Sequence, residues 1–280
     1  MGVPQGSVLG PLLFLIYIND MPLVVQHSKL RLFADDSLIY KQINTHQDSL
    51  DLQKVLNNLV VWSGNWQMNF NISKCEHMRI SRQSCSSNTL IPTYTFNGSD
   101  LTHVDSIKYL GVNIDNCLSF ERHILEICRK ATRTLHMLMR CLKKAKPKTR
   151  AMAFKSICKP ILEYSSHCCS PYKEKHIKNI ENINRKAYRW VNNKTKYDCI
   201  SELMSEDGWP TLAERRHKND INFYFKILSG TAAVDTSTIS VLRPSGHQTR
   251  IGGLEGTIST NTQKYSYKHR LNRFITRQQI

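Results

Sequence analysis

Two adjacent acidic residues, Asp35 and Asp36, are the side chains of this sequence best placed to do chemistry. They lie where two short apolar, β-prone runs meet, within residues 30–40, so the pattern predicts a β-hairpin with a tight turn at or beside the pair. Neighbouring carboxylates repel each other, and a divalent cation between them and a substrate's phosphates offsets that repulsion. The alternative is a solvated turn, because Asp is a common turn residue and so short a motif often occurs by chance.

A loop rich in glycine and proline precedes this hairpin, at residues 2–11, and leads into an apolar helical segment. Glycine lets the backbone approach a ligand more closely than a larger residue would. Gln5 adds an amide that both donates and accepts hydrogen bonds. The loop also fits a helix N-terminus, and the two interpretations are compatible. The apolar segment is too short to span a membrane and lacks the flanks of a secretory signal, and its Tyr17 is expected in the core.

The loop and the acidic pair together resemble motifs B and C of reverse transcriptases, specifically those of non-LTR (LINE-type) retrotransposons. The resemblance covers residues 2–20 and then the string Phe-Ala-Asp-Asp at residues 33–36, in the order that the family has them. It implies the following site residues: Asp35 and Asp36 as catalytic and Mg²⁺-binding, and Gln5 and Gly6 against the incoming nucleotide and template.

Two looser matches extend the resemblance along the chain. Lys74 lies at the position of the motif D lysine, which approaches the triphosphate of the incoming nucleotide and could neutralise or protonate the leaving pyrophosphate. The alternative for Lys74 is a solvated lysine at a strand edge. The string Tyr109-Leu110-Gly111 matches the motif E region, which grips the primer in this family, within a predicted strand at residues 107–112.

Helices follow from the spacing of apolar residues. A capping box at residues 45–48 predicts a helix whose apolar face is Leu52, Val55, Leu56, Leu59 and Trp66. From Ser119 onward a heptad-like apolar stripe predicts a long helix with arginines, Arg122 among them, off the stripe. Further helices are predicted over residues 149–164, 175–191 and 212–228.

The fold class that these elements and the resemblance imply is α+β. We expect a partial right-hand polymerase palm, with the acidic hairpin packed on helices, followed by a mostly α-helical thumb. The implied domains are residues 1–115, the C-terminal part of the palm with motifs B to E, and residues 116–230, the thumb and its extension. Residues 231–280 form a polar, basic tail that is expected to be poorly ordered.

Charge is divided unevenly along the chain, whose formal net charge is +17. The net charge is −1 over residues 1–115, +13 over residues 116–230 and +5 over the remainder. The positive charge concentrated in residues 116–230 is more than solubility requires. It suits a surface that neutralises phosphates, whereas the paired carboxylates lie in residues 1–115. The expected contacts to the nucleic-acid backbone are Arg129, Arg133, Arg140, Lys143, Lys144 and Lys146.

The nine cysteines are an odd number without framework spacing, which indicates reduced thiols and an intracellular protein, in the nucleus or cytoplasm and not secreted. A zinc site built from His167, Cys168, Cys169, His176 and Cys199 is disfavoured, because adjacent cysteines do not fit the usual ligand spacing. The resemblance implies Mg²⁺ as cofactor in the intact enzyme. It implies an RNA template, a DNA primer, the RNA–DNA hybrid and deoxynucleoside triphosphates as partners, and no membrane.

Two functions are compatible with these residues. The first is a fragment of an RNA-directed DNA polymerase that transfers nucleotides by a two-magnesium mechanism. The family's motif A carboxylate and fingers would precede Met1, so these 280 residues are expected to be inactive alone. The alternative is a catalytically inactive remnant that acts at most as a basic nucleic-acid-binding module.

Overall fold

A computed structural model describes residues 6–81 and 92–232, and these form two compact units. The first unit contains residues up to 79 and residues 92–105 of this described part, and the second contains residues 80, 81 and 106–232. Gln5 and all of the predicted tail beyond residue 232 lie outside the described residues. Helices and small sheets are both present, so the predicted α+β class is confirmed at that level.

The first unit contains two helices and three two-stranded sheets. Its helices are α1 (Gly10–Tyr17) and α2 (His46–Asn65), with 3-10 turns at Met21–Val24 and Ile72–Lys74. Its strands are β1 (Lys29–Phe33), β2 (Asp36–Tyr40), β3 (Glu76–His77), β4 (Thr95–Phe96), β5 (Ser99–Asp100) and β6 (Thr102–His103). The pairs β1–β2 and β4–β5 are antiparallel, and β3 pairs with β6 in parallel.

Helix α2 is the element on which the first unit is built. The predicted capping box is confirmed: the Thr45 hydroxyl accepts from the Asp48 amide, and the Asp48 carboxylate accepts from the Thr45 amide. Val55, Leu59 and Trp62 are buried at the helical spacing i, i+4, i+7. The prediction was wrong about the aromatic residue, since Trp62 lies in the core and Trp66 is 38 % exposed.

Helix α1 buries none of its side chains, although its residues are almost all apolar. Leu12, Leu15 and Ile16 are more than half exposed. Tyr17, which was expected in the core, lies at the surface, where its hydroxyl donates to the carbonyl of Trp66. The helix is anchored one residue past its end by Ile18, which is 3 % exposed.

The second unit is a helical bundle with one β-hairpin at its start. The hairpin is β7 (Ser106–Tyr109) and β8 (Val112–Asp115), so a turn at residues 110–111 interrupts the strand predicted over residues 107–112. The helices are α3 (Glu121–Cys141), α4 (Pro147–Ala153), α5 (Lys159–Glu163), α6 (Glu174–Val191), α7 (Ser201–Glu206) and α8 (Leu212–Leu228), with one π-helical turn at Phe154–Cys158. The predicted helices over residues 175–191 and 212–228 are thus confirmed.

The core of the second unit follows the predicted apolar stripe of α3. Ile124, Ala131, Leu135 and Leu138 are buried and pack with apolar residues of α6 and of the π-helical turn. The side chain of Asp115 fixes the start of α3, since its carboxylate accepts from the amides of Ser119 and Phe120 at 2.7 and 3.0 Å.

Arg150, on α4, is buried where α3 and α6 end. Its guanidinium donates to the carbonyl of Lys143 at 2.7 Å, to the carbonyl of Trp190 at 3.0 Å and to the side chain of Asn193 at 2.6 Å. Trp190 lies in the last turn of α6, where the carbonyls lack intrahelical partners and carry partial negative charge, whereas Lys143 lies in the turn that follows α3. The buried guanidinium therefore caps the end of α6 and joins it to that turn.

Candidate catalytic hairpin and nucleic-acid interface

The acidic pair lies on a two-residue hairpin, as the sequence predicts. Phe33 pairs with Asp36, so Ala34 and Asp35 form the loop and Asp36 is the first residue of β2. Ala34 has a φ of +51°, a left-handed conformation that costs a residue with a Cβ about 1–2 kcal/mol. Such backbone strain is often found beside functional groups. Here it sits next to the pair of carboxylates.

Both carboxylates of the hairpin are open to solvent. Neither the Asp35 nor the Asp36 carboxylate is engaged in a hydrogen bond or ion pair in the part of the chain that the structure describes. Carboxylate oxygens are the ligands that Mg²⁺ prefers, and two such groups can each contribute an oxygen. No group of three or more His, Cys, Asp or Glu side chains within residues 6–81 and 92–232 could hold a metal ion. The hairpin therefore offers two ligands of a coordination shell.

The predicted nucleotide-binding residues are placed in separate loops of the first unit. Gly6 has a φ of +88°, a conformation that glycine adopts readily, and it is exposed just before α1. Lys74 ends a 3-10 turn and is exposed. Their grouping with the acidic hairpin at one site stays a prediction.

The predicted primer-grip residues form the turn of the β7–β8 hairpin. Leu110 and Gly111 both have positive φ, +46° and +80°, which is the pattern of a tight type I′ turn after Tyr109. Tyr164, next to the end of α5, donates its hydroxyl to the carbonyl of Leu110 at 2.7 Å. Its ring lies 3.4 Å from the position of a Cβ on Gly111. A Cβ at that distance would make an ordinary van der Waals contact, so the φ of +80° is what favours glycine at this position. Sequence reasoning did not include Tyr164 among the site residues.

The predicted phosphate contacts of α3 share one face. Arg129, Arg133 and Arg140 are exposed, and at about 100° per residue they lie opposite the buried stripe. Arg122 lies on the same line one repeat earlier, and sequence reasoning had not included it among the site residues. A helical wheel of the predicted helix would have found it.

Residues 142–146, between α3 and α4, are called the basic connector here. Its lysines Lys143, Lys144 and Lys146, the other predicted phosphate contacts, are exposed. The backbone of Lys143 accepts from Arg150, which fixes the start of the connector to the bundle. Lys143 and Lys144 directly follow Leu142, so they continue the basic sequence past the end of α3.

Two histidines of the disfavoured zinc site lie beside carboxylates. The Nδ1 of His167 lies 2.8 Å from a carboxylate oxygen of Asp220, and the ring of His167 stacks on Phe223. His176 lies 3.3 Å from a carboxylate oxygen of Glu121. The eight cysteines within the described residues are all free thiols. Among the helices of residues 6–81 and 92–232, none combines the length and apolar character that crossing a membrane requires.

Comparisons with known proteins match this chain to reverse transcriptases, both by a family model and by individual relatives. Residues 1–114 match the family model described as "Reverse transcriptase (RNA-dependent DNA polymerase)". The "RNA-directed DNA polymerase from mobile element jockey" of Drosophila melanogaster is 27% identical over 254 residues, which are 83% of this chain and 27% of that protein. The jockey polymerase of Drosophila funebris is 29% identical over 76% of this chain and 24% of its own length.

A third relative, the "Probable RNA-directed DNA polymerase from transposon X-element" of Drosophila melanogaster, is 29% identical over 68% of this chain and 21% of its own length. No solved structure gives a significant match. The resemblance to non-LTR retrotransposon reverse transcriptases is confirmed by these matches. The chain spans about a quarter of the length of these curated relatives.

Proposed function

We propose that this chain is a segment of a retrotransposon RNA-directed DNA polymerase, in which Asp35 and Asp36 serve the catalytic site. The observation that carries this proposal is the acidic hairpin, which lies inside the region that matches the reverse transcriptase family. The comparisons favour this function over a remnant that only binds nucleic acid. The first unit would be part of a polymerase palm, and the second the thumb that follows it.

Asp35 and Asp36 would hold divalent metal, with Mg²⁺ the ion that fits their oxygen ligands best. When bound, such ions lower the pKa of an attacking hydroxyl and neutralise charge on the leaving group in phosphoryl transfer. The hairpin itself supplies two solvent-open carboxylates, that of Asp35 in its loop and that of Asp36 on the first paired residue of β2. Lys74 would contribute positive charge toward the triphosphate of the incoming deoxynucleotide.

The second unit would bind the RNA template and DNA primer as a hybrid. The exposed arginines of α3 and the lysines of the connector present positive charge without a matching number of acids. Phosphate neutralisation of this kind gives affinity without sequence preference, and it weakens steeply with salt. The turn at Leu110 and Gly111 would contact the primer strand. We further propose that the protein acts inside the cell, where these nucleic acids are found.

The test is a chimeric enzyme. The segment of the Drosophila melanogaster jockey polymerase that aligns with this chain is replaced by this sequence, and extension of a DNA primer on an RNA template is measured with Mg²⁺. The double substitution Asp35→Asn and Asp36→Asn should reduce extension by on the order of 10²–10³ or more, because it removes charge that acts on the transition state.

The matched control is Asp100→Asn, which removes an exposed carboxylate from β5 in the same unit. Binding of the hybrid, measured on the same preparations, shows that the chimeras are folded. Extension that survives loss of both hairpin carboxylates, while binding is unchanged, would refute the proposed catalytic role. The 280-residue chain by itself, expected not to extend a primer, is assayed alongside.

A further inference from the structure

The turn of the β7–β8 hairpin has a backbone that leucine does not favour. The turn residues Leu110 and Gly111 both have positive φ, +46° and +80°. Glycine adopts such a backbone readily, but in leucine the Cβ comes too close to a carbonyl oxygen. Two-residue turns of this shape usually have Asn, Asp or Gly at the first position. Backbone strain of this kind persists where the surrounding structure holds it.

Tyr164 contacts this turn from the end of α5. Its hydroxyl donates to the carbonyl of Leu110 at 2.7 Å, the usual distance for an O–H donor. A ring carbon of Tyr164 lies 3.4 Å from the position of a Cβ on Gly111, so the ring lies beside the glycine. The carbonyl of Leu110 belongs to the peptide group between the two turn residues. The hydrogen bond therefore fixes the orientation of the peptide at the centre of the turn.

Tyr164 is itself held by contacts of its own backbone and of its two neighbours in the chain. The preceding residue, Glu163, accepts from the guanidinium of Arg215 on α8 through both carboxylate oxygens, one of them at 2.9 Å. The amide of Tyr164 donates to the carbonyl of Pro160 at 2.9 Å. The carbonyl of the following residue, Ser165, accepts from two amides at 2.9 and 3.1 Å. The hydroxyl thus reaches the turn from a rigid support.

Two contacts from the start of α3 hold other parts of the hairpin. Arg122 donates to the hydroxyl of Ser106, the first residue of β7, at 2.9 Å. His123 accepts from the amide of Asn113, in β8, at 3.4 Å. Both contacts are made to the strands. Tyr164 therefore holds the end of the hairpin that α3 does not reach through these bonds.

We infer that Tyr164 is a positioning residue for the primer strand and acts through the turn at Leu110 and Gly111. The inference rests on the proposed function, in which this turn contacts the primer. Gly111 is exposed and lets a strand approach closely, and a turn of fixed shape holds the primer's 3′-hydroxyl in the narrow range of positions from which it reacts. Loss of the tyrosine hydroxyl should slow extension more than it weakens binding, because phosphate contacts elsewhere supply most of the affinity.

The experiment compares Tyr164→Phe with Tyr197→Phe in the chimeric polymerase. The first change removes the hydroxyl and keeps the ring beside Gly111. The second removes the same group from a tyrosine of the same unit that is 92 % exposed. For each variant, the Kd for a primer–template hybrid is measured, together with the rate and amplitude of the first turnover at saturating hybrid and deoxynucleotide. The amplitude counts folded, active enzyme, and the rate reports how the primer is placed in that enzyme.

Tyr164→Phe should slow the first turnover by about two- to tenfold, as one lost hydrogen bond does, while the Kd and the amplitude change by less than about twofold. Tyr197→Phe should match the unaltered chimera in all three quantities. An unchanged rate in Tyr164→Phe overturns this inference and leaves the proposed function standing. A lower amplitude at an unchanged rate also overturns it, because the tyrosine then serves folding alone. An unaltered chimera that binds the hybrid without extending the primer overturns the proposed function and this inference with it.

Discussion

The two units use apolar and charged residues in opposite ways. In the second unit, α3 buries its apolar side in a core that it shares with α6 and exposes Arg122, Arg129, Arg133 and Arg140 on the opposite side. In the first unit, α1 exposes its apolar side chains and the hairpin exposes two carboxylates. A closed core with charge outside needs no further cover, whereas exposed apolar side chains such as those of α1 mark a surface on which other groups can pack.

The largest predicted difference in stability between the two units comes from Arg150→Met, which should destabilise the second unit only. This change leaves the carbonyls of Lys143 and Trp190 and the side chain of Asn193 without their buried donor, and each unsatisfied acceptor costs about 1–3 kcal/mol. We expect the second unit to lose about 3–5 kcal/mol of unfolding free energy in denaturant titrations. Amide hydrogen exchange should locate the loss in α3 and α6 and leave α2 unchanged.

The control for Arg150 is Lys148→Met, two residues away on α4, where the side chain is exposed. It should change the unfolding free energy by no more than about 0.5 kcal/mol, as surface substitutions do. Equal losses in the two variants would mean that the guanidinium does not hold the end of α6 to the turn that follows α3.

The second test compares two isoleucines of the first unit. Ile18→Ala removes a buried side chain and should cost about 2–4 kcal/mol, whereas Ile16→Ala, two residues earlier on the exposed side of α1, should cost less than about 0.5 kcal/mol. Sedimentation should show less self-association for Ile16→Ala than for the unaltered chain, because exposed apolar patches promote association. A large loss for Ile16→Ala would show that α1 is covered in solution.

How far the sequence predicts this molecule differs between its elements. Periodicity and capping predicted α2, α3, α6 and α8, since local spacing alone decides which side of a helix is apolar. The same spacing did not identify α1 as exposed, because the sequence of an apolar helix does not show whether another part of the protein covers it. Trp62 and Trp66 both fit an apolar face, and only the side chain of Asp20, which accepts from both indoles at 3.0 and 2.9 Å, shows how they are arranged.

The candidate site shows the same division. Residues adjacent in sequence, such as Asp35 and Asp36, were placed correctly on a hairpin because a two-residue turn is a local feature. Contacts over long separations were missed, since nothing near residue 164 indicates that Tyr164 fixes the turn at Leu110.

A smaller effect should follow from Ala34→Gly in the acidic hairpin. Glycine removes the cost of the left-handed conformation at Ala34, but it also gives the unfolded chain more freedom, so the net gain should be below about 1 kcal/mol. Asn97→Gly in the β4–β5 turn, where φ is +50°, is the matched control and should gain less, because Asn tolerates this region better than Ala. A loss of stability in the Ala34 variant would show that the alanine side chain makes a contact that outweighs the strain.

The smallest effect concerns pH and the buried imidazole of His123 at the base of α3. Burial lowers the pKa of His123 below its ordinary value of 6.5, and nearby Lys108 lowers it further while Glu126 opposes the shift. The Nδ1 of His123 accepts from the amide of Asn113 at 3.4 Å, which requires that nitrogen to be unprotonated.

Because the unfolded chain binds a proton at His123 more readily than the folded chain does, the stabilisation is complete above pH 6.5. It should be lost as the pH falls from 6.5 through the lower pKa of the folded state. Thermal unfolding between pH 7.5 and 5 should therefore show a decline that is weaker in His123→Gln, which can still accept from Asn113 but does not titrate. His46→Gln, at an exposed position of the first unit, should leave the decline unchanged. If both variants decline as steeply as the unaltered chain, protonation of His123 is not what destabilises the second unit in acid.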